Sequence, residues 1–321
     1  MKYFIVTLAV AIVLGLIGCD SKEKTSQIAY ASQPITTPTP FAEGVISTSD
    51  NSEFDITFTP DGLTAYFSRR VPGEKQKIYV TRFLNESWST PTLAQFSTDR
   101  DETAFITPDG KYFFFGSERP IPDKPNLGNF DMNIWMMEKT KDGWSDPKPL
   151  PEPINEVQIK EEEWPSSNNN FFFTNDNYRY YYTTMMRGTQ SVKLYTTTYD
   201  GETFSQPEVI NGIFEDDKTW IYSSVLSPNG EYLVFNSYDA PGGTGGEDIF
   251  ISKKTVDGWS KAKPIGSLIN TKDEESSPRF SRDGKYFFFS RAENLGNYEY
   301  GEWSIYFIET ESLHLENLFE Q

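Results

Sequence analysis

The chain has 321 residues, and its 29 Lys and Arg against 47 Asp and Glu give a formal net charge of −18. A body this acidic is a poor candidate for binding nucleic acid or for lying flat on anionic lipid, because both need clustered cations. The single cysteine excludes an intramolecular disulfide, and an aromatic content of 16% favours β-strands over helices.

The first eighteen residues form a segment of their own. Lys2 supplies a positive charge, and the run from Tyr3 to Gly18 is apolar apart from Thr7. Such a run is short for a membrane span and suits the core of a signal peptide. It ends in Leu16-Ile17-Gly18-Cys19, which resembles the lipobox of bacterial lipoproteins. The resemblance implies cleavage before Cys19 and acylation of its thiol; an uncleaved helical anchor is the alternative.

This leader predicts an exported protein that is tethered to a membrane through a lipid on Cys19. The predicted location is the periplasmic side of the inner or outer membrane, or the cell surface. Residues 19–38 are polar and rich in Ser, Thr, Gln and Pro, so they predict a flexible tether with little to bury. The remaining residues are enough for one large β domain.

A short turn followed by an aromatic strand recurs along this domain. Four copies are clear: Thr59-Pro60-Asp61-Gly62, Thr107-Pro108-Asp109-Gly110, Ser227-Pro228-Asn229-Gly230 and Ser281-Arg282-Asp283-Gly284. Pro presets φ for a turn, Asp or Asn hydrogen-bonds the nearby backbone, and Gly takes the positive φ that closes the turn. The aromatic run after each turn predicts a strand buried on both faces.

A degenerate copy lies between the second and third clear copies. Either Ser167–Asn170 is the turn before a strand at Phe171–Phe173, or Thr174–Asn177 is the turn before a strand at Tyr180–Tyr182. The first alternative is preferred because Glu163-Trp164-Pro165 precedes it, much as acidic residues and a proline precede the last copy.

Each copy continues with a third strand, a turn and a short proline-bearing outer strand. The third strands are predicted at Ile78–Val80, Ile134–Met136, Leu194–Thr196, Ile249–Ile251 and Ile305–Phe307. Four short strands with a period near fifty residues predict an all-β fold, a β-propeller of five four-stranded blades. Six blades are the alternative if residues 156–222 hide another unit.

The fifth copy ends after its third strand. Residues 39–46 have the composition of an outer strand and no unit ahead of them, so we expect this N-terminal strand to close the ring as the outer strand of the last blade. The propeller is therefore predicted at residues 39–310, with a C-terminal tail at 311–321.

The Pro-Asp-Gly units with trailing aromatic strands, together with turns such as Asp142-Gly143-Trp144, resemble the WD-like propeller repeats of the TolB type. The resemblance covers nearly everything from Phe41 to Thr310. It implies a propeller of the kind found in bacterial periplasmic proteins and lipoproteins. Members of that family differ widely in function, so the resemblance implies no particular activity.

Few residues in the sequence suit catalysis or metal binding. The only histidine, His314, lies beyond the last strand, which argues against Ser-His-Asp and Cys-His sites and against zinc sites built on His or Cys. No cofactor is predicted. The loop Gly242–Gly246 precedes a strand, so it does not suit a phosphate cradle, and its neighbour Asp248 is a weak candidate for binding a cation.

Acidic residues stand before the inner strand of each blade, and arginines follow the second strands. The predicted candidates for a ligand-binding rim at one end of the central channel are Glu53, Glu102, Glu163, Asp217, Glu275, Arg69, Arg119, Arg187 and Arg291. Their repetition favours structural pairing over ligand binding, and ligand binding over catalysis.

The predicted function is a binding or scaffold module for a protein, peptide or glycan on the channel face. The alternative is a sialidase-like or other glycoside hydrolase-like enzyme that uses two rim carboxylates as acid and base or nucleophile. The absence of Ser-x-Asp-x-Gly-x-x-Trp turns counts against a sialidase.

Overall fold

Five antiparallel sheets of four or five strands follow one another along the chain and form a β-propeller. The computed structural model describes residues 30–122, 131–155, 170–173, 179–185, 191–216, 218–297 and 299–320. Cys19 and the predicted signal peptide lie outside these residues. No helix among the described residues is both long and apolar enough to cross a membrane.

The strands are numbered in chain order, beginning with β1 (Thr39–Pro40). Blade 1 contains β2 (Ser52–Phe58), β3 (Thr64–Arg70), β4 (Lys77–Leu84), β5 (Ser87–Trp88) and β6 (Thr92–Leu93). Blade 2 contains β7 (Asp101–Ile106), β8 (Tyr112–Ser117), β9 (Asn133–Thr140), β10 (Gly143–Trp144) and β11 (Lys148–Pro149). Blade 3 contains β12 (Asn170–Phe173), β13 (Arg179–Thr184), β14 (Lys193–Thr198) and β15 (Glu208–Val209).

Blade 4 contains β16 (Tyr222–Leu226), β17 (Tyr232–Tyr238), β18 (Glu247–Thr255), β19 (Gly258–Trp259) and β20 (Lys263–Pro264). Blade 5 contains β21 (Glu274–Phe280), β22 (Tyr286–Ala292) and β25 (Ser304–Glu309), with the hairpin β23 (Asn294–Gly296) and β24 (Glu299–Tyr300) between its second and third strands. Two short 3₁₀ helices follow at Thr310–Leu313 and Leu315–Phe319.

The N-terminal strand closes the ring, as predicted. Strand β1 pairs antiparallel with β25, with Thr39 opposite Phe307 and Pro40 opposite Tyr306. The N–H of Phe41 extends the pairing by donating to the carbonyl oxygen of Ile305 at 2.7 Å. The third strand of blade 5 is thus covered by a strand from the other end of the domain, which removes an exposed sheet edge.

The hydrophobic core is divided among the contacts between neighbouring blades. Among the described residues, five clusters of buried side chains lie between blades 1 and 2, 2 and 3, 3 and 4, 4 and 5, and 5 and 1. The aromatic second strands supply much of each cluster, as Phe113 and Phe115 do between blades 1 and 2. Five interfaces for five blades describe a closed ring rather than an open stack.

The repeated turns have the hydrogen bonds that their sequence predicts. In blade 1, Asp61 Oδ1 accepts from the hydroxyl of Thr59 at 2.6 Å and from the N–H of Leu63 at 3.0 Å, while Gly62 takes a φ of +69°. The turns of blades 2, 4 and 5 repeat both bonds and the positive φ. The turn is therefore a local structure that each of these blades forms from its own residues.

The structure corrects the preferred assignment in blade 3. Phe171–Phe173 belong to the inner strand β12, which pairs with Tyr180–Tyr182 in the second strand β13. The second alternative was therefore right, although the turn between these strands lies outside the described residues. The error arose because an aromatic triplet occurs in both strands, and only the pairing distinguishes them.

Both ends of the domain extend beyond the predicted limits. Tyr30 and Ile35, which were assigned to the tether, pack against the cluster between blades 5 and 1. The hydroxyl of Tyr30 donates to the carbonyl oxygen of Gly62 at 3.1 Å. Leu313 and Leu315 from the predicted tail are buried between blades 4 and 5. His314 between them remains largely exposed.

Candidate functional site

The two ends of the propeller differ in the loops that they carry. Each inner strand runs from the connection with the preceding blade to the repeated turn, and each second strand runs back. The connections between blades and the loops between second and third strands therefore share one end, which we call the mouth face. The repeated turns share the other end, the turn face.

At the mouth face of blade 1, Glu53 and Arg69 form a buried ion pair. Arg69 Nε donates to Glu53 Oε1 at 2.9 Å, and the side chain of Glu53 has no exposed surface. Glu53 also accepts from the N–H and the hydroxyl of Thr48, at 3.1 and 2.8 Å. Arg69 donates further to the carbonyl oxygens of Val45 and Ile46. The pair joins three segments of chain, and we call this arrangement a mouth latch.

The arginine of the latch is also held by aromatic rings. Its guanidinium lies 5.1 Å from the ring centre of Phe67 and 5.2 Å from that of Tyr79. These contacts are favourable because the negative face of each ring attracts the cation.

The same latch recurs in blades 2 and 5. In blade 5, Arg291 Nε donates to Glu275 Oε1 at 2.8 Å, Thr271 donates to both oxygens of Glu275, and Arg291 also donates to the carbonyl oxygen of Ile269. In blade 2, Arg119 bonds Asp101 Oδ1 at 2.8 Å and the carbonyl oxygen of Phe96.

The latches contain five of the candidates for the ligand-binding rim, and structural pairing is the interpretation that their repetition favoured. Glu53 and Glu275 have no exposed surface, and Arg69, Arg119 and Arg291 are engaged by acids and carbonyl groups, so these residues brace the loops instead of lining an open site. Burial raises the pKa of Glu53 to about 7 against the lowering effects of Thr48 and Arg69. Burial also raises the pKa of Glu275.

In blade 2 the acid predicted for the rim, Glu102, lies one position after the latch residue, Asp101. Asp101 pairs in register with Ser117 and takes the place of Glu53, while Glu102 lies one residue further along the inner strand. Glu102 is paired instead with Arg100 at 3.1 Å. Adjacent acids at the start of an inner strand cannot be told apart by sequence, because the register decides which one meets the arginine.

Inside the ring, four of the inner strands share an irregularity that the sequence analysis missed. The register of each shifts at the same place, where one polar residue takes a positive φ: Asp55, Thr103, Ser223 and Ser277. Such bulges bend a strand and re-aim its side chains. The signal available in the sequence was a short polar residue two positions after the latch position.

These bulges surround a charged centre. Asp55 is buried and faces Arg279, with Nη2 and Oδ1 separated by 3.4 Å. Glu247 accepts from the side chains of Asn236 and Ser276. Burial raises the pKa of Glu247 to about 8, so its carboxyl group is mainly protonated at pH 7. The neighbouring carboxylates of Glu274 and Asp55 also raise the pKa of Glu247.

The turn-face end of the channel is narrow. It holds a cavity of 130 Å³, lined mainly by apolar residues of four blades that include Phe58, Phe105 and Pro228. Arg282 crosses this end from blade 5 and donates to the carbonyl oxygens of Ile106 and Thr107 in blade 2, at 3.2 and 2.9 Å. This end therefore leaves little room for a ligand.

The mouth face of blade 4 differs from that of the latched blades. Tyr222 pairs with Asn236, so the residue before it, Ile221, occupies the position that Glu53 has in blade 1. Ser237 stands opposite and donates to the carbonyl oxygen of Trp220 at 2.6 Å. In place of a latch there is an open cleft of 570 Å³, lined by Asp216, Lys218, Thr219, Trp220, Tyr222, Tyr238, Asp239 and Pro241.

Asp248 holds the glycine-rich loop beside this cleft. Its Oδ2 accepts from the N–H groups of Thr244 and Gly245, at 2.7 and 3.0 Å. No group of three or more His, Cys, Asp or Glu side chains among the described residues could hold a metal ion. Through its two bonds from Oδ2, Asp248 anchors the loop, while its Oδ1 is buried and makes no hydrogen bond within the described residues.

Three predicted rim residues, Glu163, Arg187 and Asp217, lie outside the described residues. The chain neighbours of Asp217, which are Asp216 and Lys218, line the cleft of blade 4. Trp220, Tyr222 and Tyr238 could not be singled out from the sequence, because aromatic residues are common throughout this chain.

No family model and no curated protein matches the chain. Among solved structures, the catalytic domain of the GH62 α-L-arabinofuranosidase from Coprinopsis cinerea aligns with a TM-score of 0.52 at 10% identity, covering 86% of this chain and 97% of that one. A protein of unknown function from Dyadobacter fermentans aligns with a TM-score of 0.50 at 12% identity, covering 86% and 98%.

TolB from Acinetobacter baumannii aligns with a TM-score of 0.49 at 15% identity over 82% of this chain, which spans 53% of the TolB chain. Its similarity is too low to carry an argument about function. The predicted five-bladed propeller is confirmed by the sheet topology of this chain, and the neighbours are propeller proteins. At such identities the likeness supports the fold alone.

Proposed function

We propose that the protein is an exported, lipid-anchored propeller that binds a ligand at its mouth face. The observation that carries this proposal is the open cleft of blade 4. Its volume is 570 Å³, whereas the volume of the turn-face cavity is 130 Å³. Ligand sites are typically concave and combine aromatic side chains with a few polar groups, as this cleft does.

The position of the N-terminal segment supports the same arrangement. Tyr30 contacts Gly62 at the turn face and lies only eleven positions after Cys19. Fully extended, such a segment spans at most about 40 Å. A lipid on Cys19 would hold the turn face near the membrane and leave the mouth face directed away from it.

Hydrolysis by the rim carboxylates is less well supported than binding. A glycosidase needs two carboxyl groups that flank the scissile bond and reach the substrate. Glu53, Asp101 and Glu275 are buried and engaged by arginines and loop residues. They do not form such an accessible pair.

Binding is tested with residues 20–321, which contain every described residue but no lipid. The protein is screened against soluble oligosaccharides and a peptide library, and hits are quantified by calorimetry. We expect saturable binding by one of these classes. If no oligosaccharide and no peptide binds saturably, the proposal is contradicted.

The anchor is tested in the full-length protein. We expect Cys19→Ala to abolish incorporation of labelled palmitate and to move the protein from the membrane fraction to the soluble fraction. A Cys19→Ala protein that stays in the membrane fraction would indicate the uncleaved helical anchor instead.

A further inference from the structure

The cleft of blade 4 is bounded by aromatic residues that are partly exposed. Trp220 and Tyr222 lie on one connection between blades, and their ring centres are 5.9 Å apart with an interplanar angle of 54°. Tyr238 contributes from the end of the second strand. Because the two planes are inclined, a flat ligand that stacks on Trp220 meets Tyr222 at its edge.

The same rings carry polar groups to which no described residue forms a hydrogen bond. Within the described part of the chain, neither Nε1 of Trp220 nor the hydroxyl of Tyr222 makes a hydrogen bond. Burial and the nearby Glu247 raise the pKa of Tyr222, so its phenol stays protonated and able to donate. Aromatic residues of this kind present an apolar face together with a polar tip.

The charged groups around the cleft select against an anionic ligand. Asp216 is occupied by the N–H groups of Lys218 and Thr219, at 2.8 and 2.7 Å, and retains its negative charge. Asp239 is exposed at the rim, so the residues that line the cleft include two carboxylates and one cation, Lys218, while Lys193 acts on Asp216 from outside the lining. The arginines of the latches are engaged elsewhere and cannot compensate.

We infer that the cleft formed by Trp220, Tyr222 and Tyr238 binds a ring of a neutral glycan. This inference rests on the proposed binding function and names the ligand class. The C–H groups on one face of a sugar ring are weakly positive and pack on the negative face of an indole. The hydroxyl groups at the ring edge accept from Trp220 and Tyr222 and donate to Asp239. An acidic sugar would meet the carboxylates instead.

The test titrates residues 20–321 with cellohexaose, xylohexaose, arabinohexaose and laminarihexaose, with oligogalacturonate as the acidic probe and a peptide library as the third arm. Binding is followed by calorimetry and by tryptophan fluorescence. We expect one neutral oligosaccharide to bind, and Trp220→Ala to weaken it at least about tenfold. Tyr222→Phe, which keeps the ring and removes the hydroxyl, should weaken it by about threefold.

Tyr300→Ala is the matched control, because Tyr300 is an exposed aromatic residue in the hairpin of blade 5, outside the cleft. Thermal unfolding of each variant checks that the fold is retained. Neutral-glycan binding that survives Trp220→Ala would overturn the assigned site. Preferential binding of oligogalacturonate or of peptides would overturn the ligand class and leave the proposed binding function standing. Failure of every probe would count against both.

Discussion

Blades 1, 2 and 5 differ from blade 4 at the mouth face, although all have the same strand order. In the first three, an acid at the start of the inner strand and an arginine at or just after the end of the second strand form a buried latch between loops. Blade 4 has Ile221 and Ser237 at these places, and a cleft opens beside them. The difference shows that one position of the repeat can hold loops together in some blades and leave room for a ligand in another.

The largest expected effect comes from breaking a latch. Arg291→Ala leaves the buried carboxylate of Glu275 without its cation, and we expect the free energy of unfolding to fall by about 3 kcal/mol. Chemical denaturation measures this loss. The blade 4 counterpart, Ser237→Ala, removes one hydrogen bond and should cost about 1 kcal/mol. Equal losses in the two variants would contradict the distinction between latched and unlatched blades.

A second comparison concerns the turn face. Gly110 in blade 2 has a φ of +70°, and a Cβ atom there would lie 2.6 Å from Cγ of Pro60 in blade 1. Gly230 in blade 4 has a φ of +71° with nothing within 4 Å. We expect Gly110→Ala to destabilise by about 2 kcal/mol and Gly230→Ala by about 1 kcal/mol, because only the first adds a clash to the backbone strain. Denaturation midpoints that fall in the reverse order would refute the packing argument.

The protonated carboxyl group of Glu247 predicts a pH dependence of stability. Its pKa is about 8 in the folded protein against an ordinary value of 4.5. Between these values the folded state holds one more proton than the unfolded state, so this group's contribution falls as the pH rises, by at most about 1.4 kcal/mol per pH unit. Glu247→Gln removes the titration. Its stability relative to the wild type should therefore increase from pH 5 to pH 8, and a constant difference would show that Glu247 titrates normally.

The smallest expected effect on stability belongs to the cleft. Trp220 is half-buried and its side chain makes no hydrogen bond in the described structure, so Trp220→Ala should lower the free energy of unfolding by less than about 1 kcal/mol. The same variant is expected to lose ligand binding. A loss as large as that of Arg291→Ala would mean that Trp220 serves the fold and not a ligand.

The sequence predicted the parts of the fold that depend on local chemistry. The repeated turns use residues within one short segment, so their positions and hydrogen bonds could be read directly. The alternation of turn, aromatic strand and third strand then implied the blades. Closure by Thr39 and Pro40 followed from counting, since the last blade lacked an outer strand and the predicted domain began with one. Lipidation of Cys19 stays a prediction from the leader alone.

Only the tertiary structure decided which polar residues are buried together. Glu53 and Glu275 are candidates for an accessible rim by sequence, because sequence shows their repetition but not their burial. In blade 2 the sequence favours Glu102 over Asp101, because strand register is a non-local property. The inner strand of blade 3 was misassigned for the same reason. The cleft of blade 4 arises where a latch is missing, and a missing contact becomes visible only once the contacts of the other blades are known.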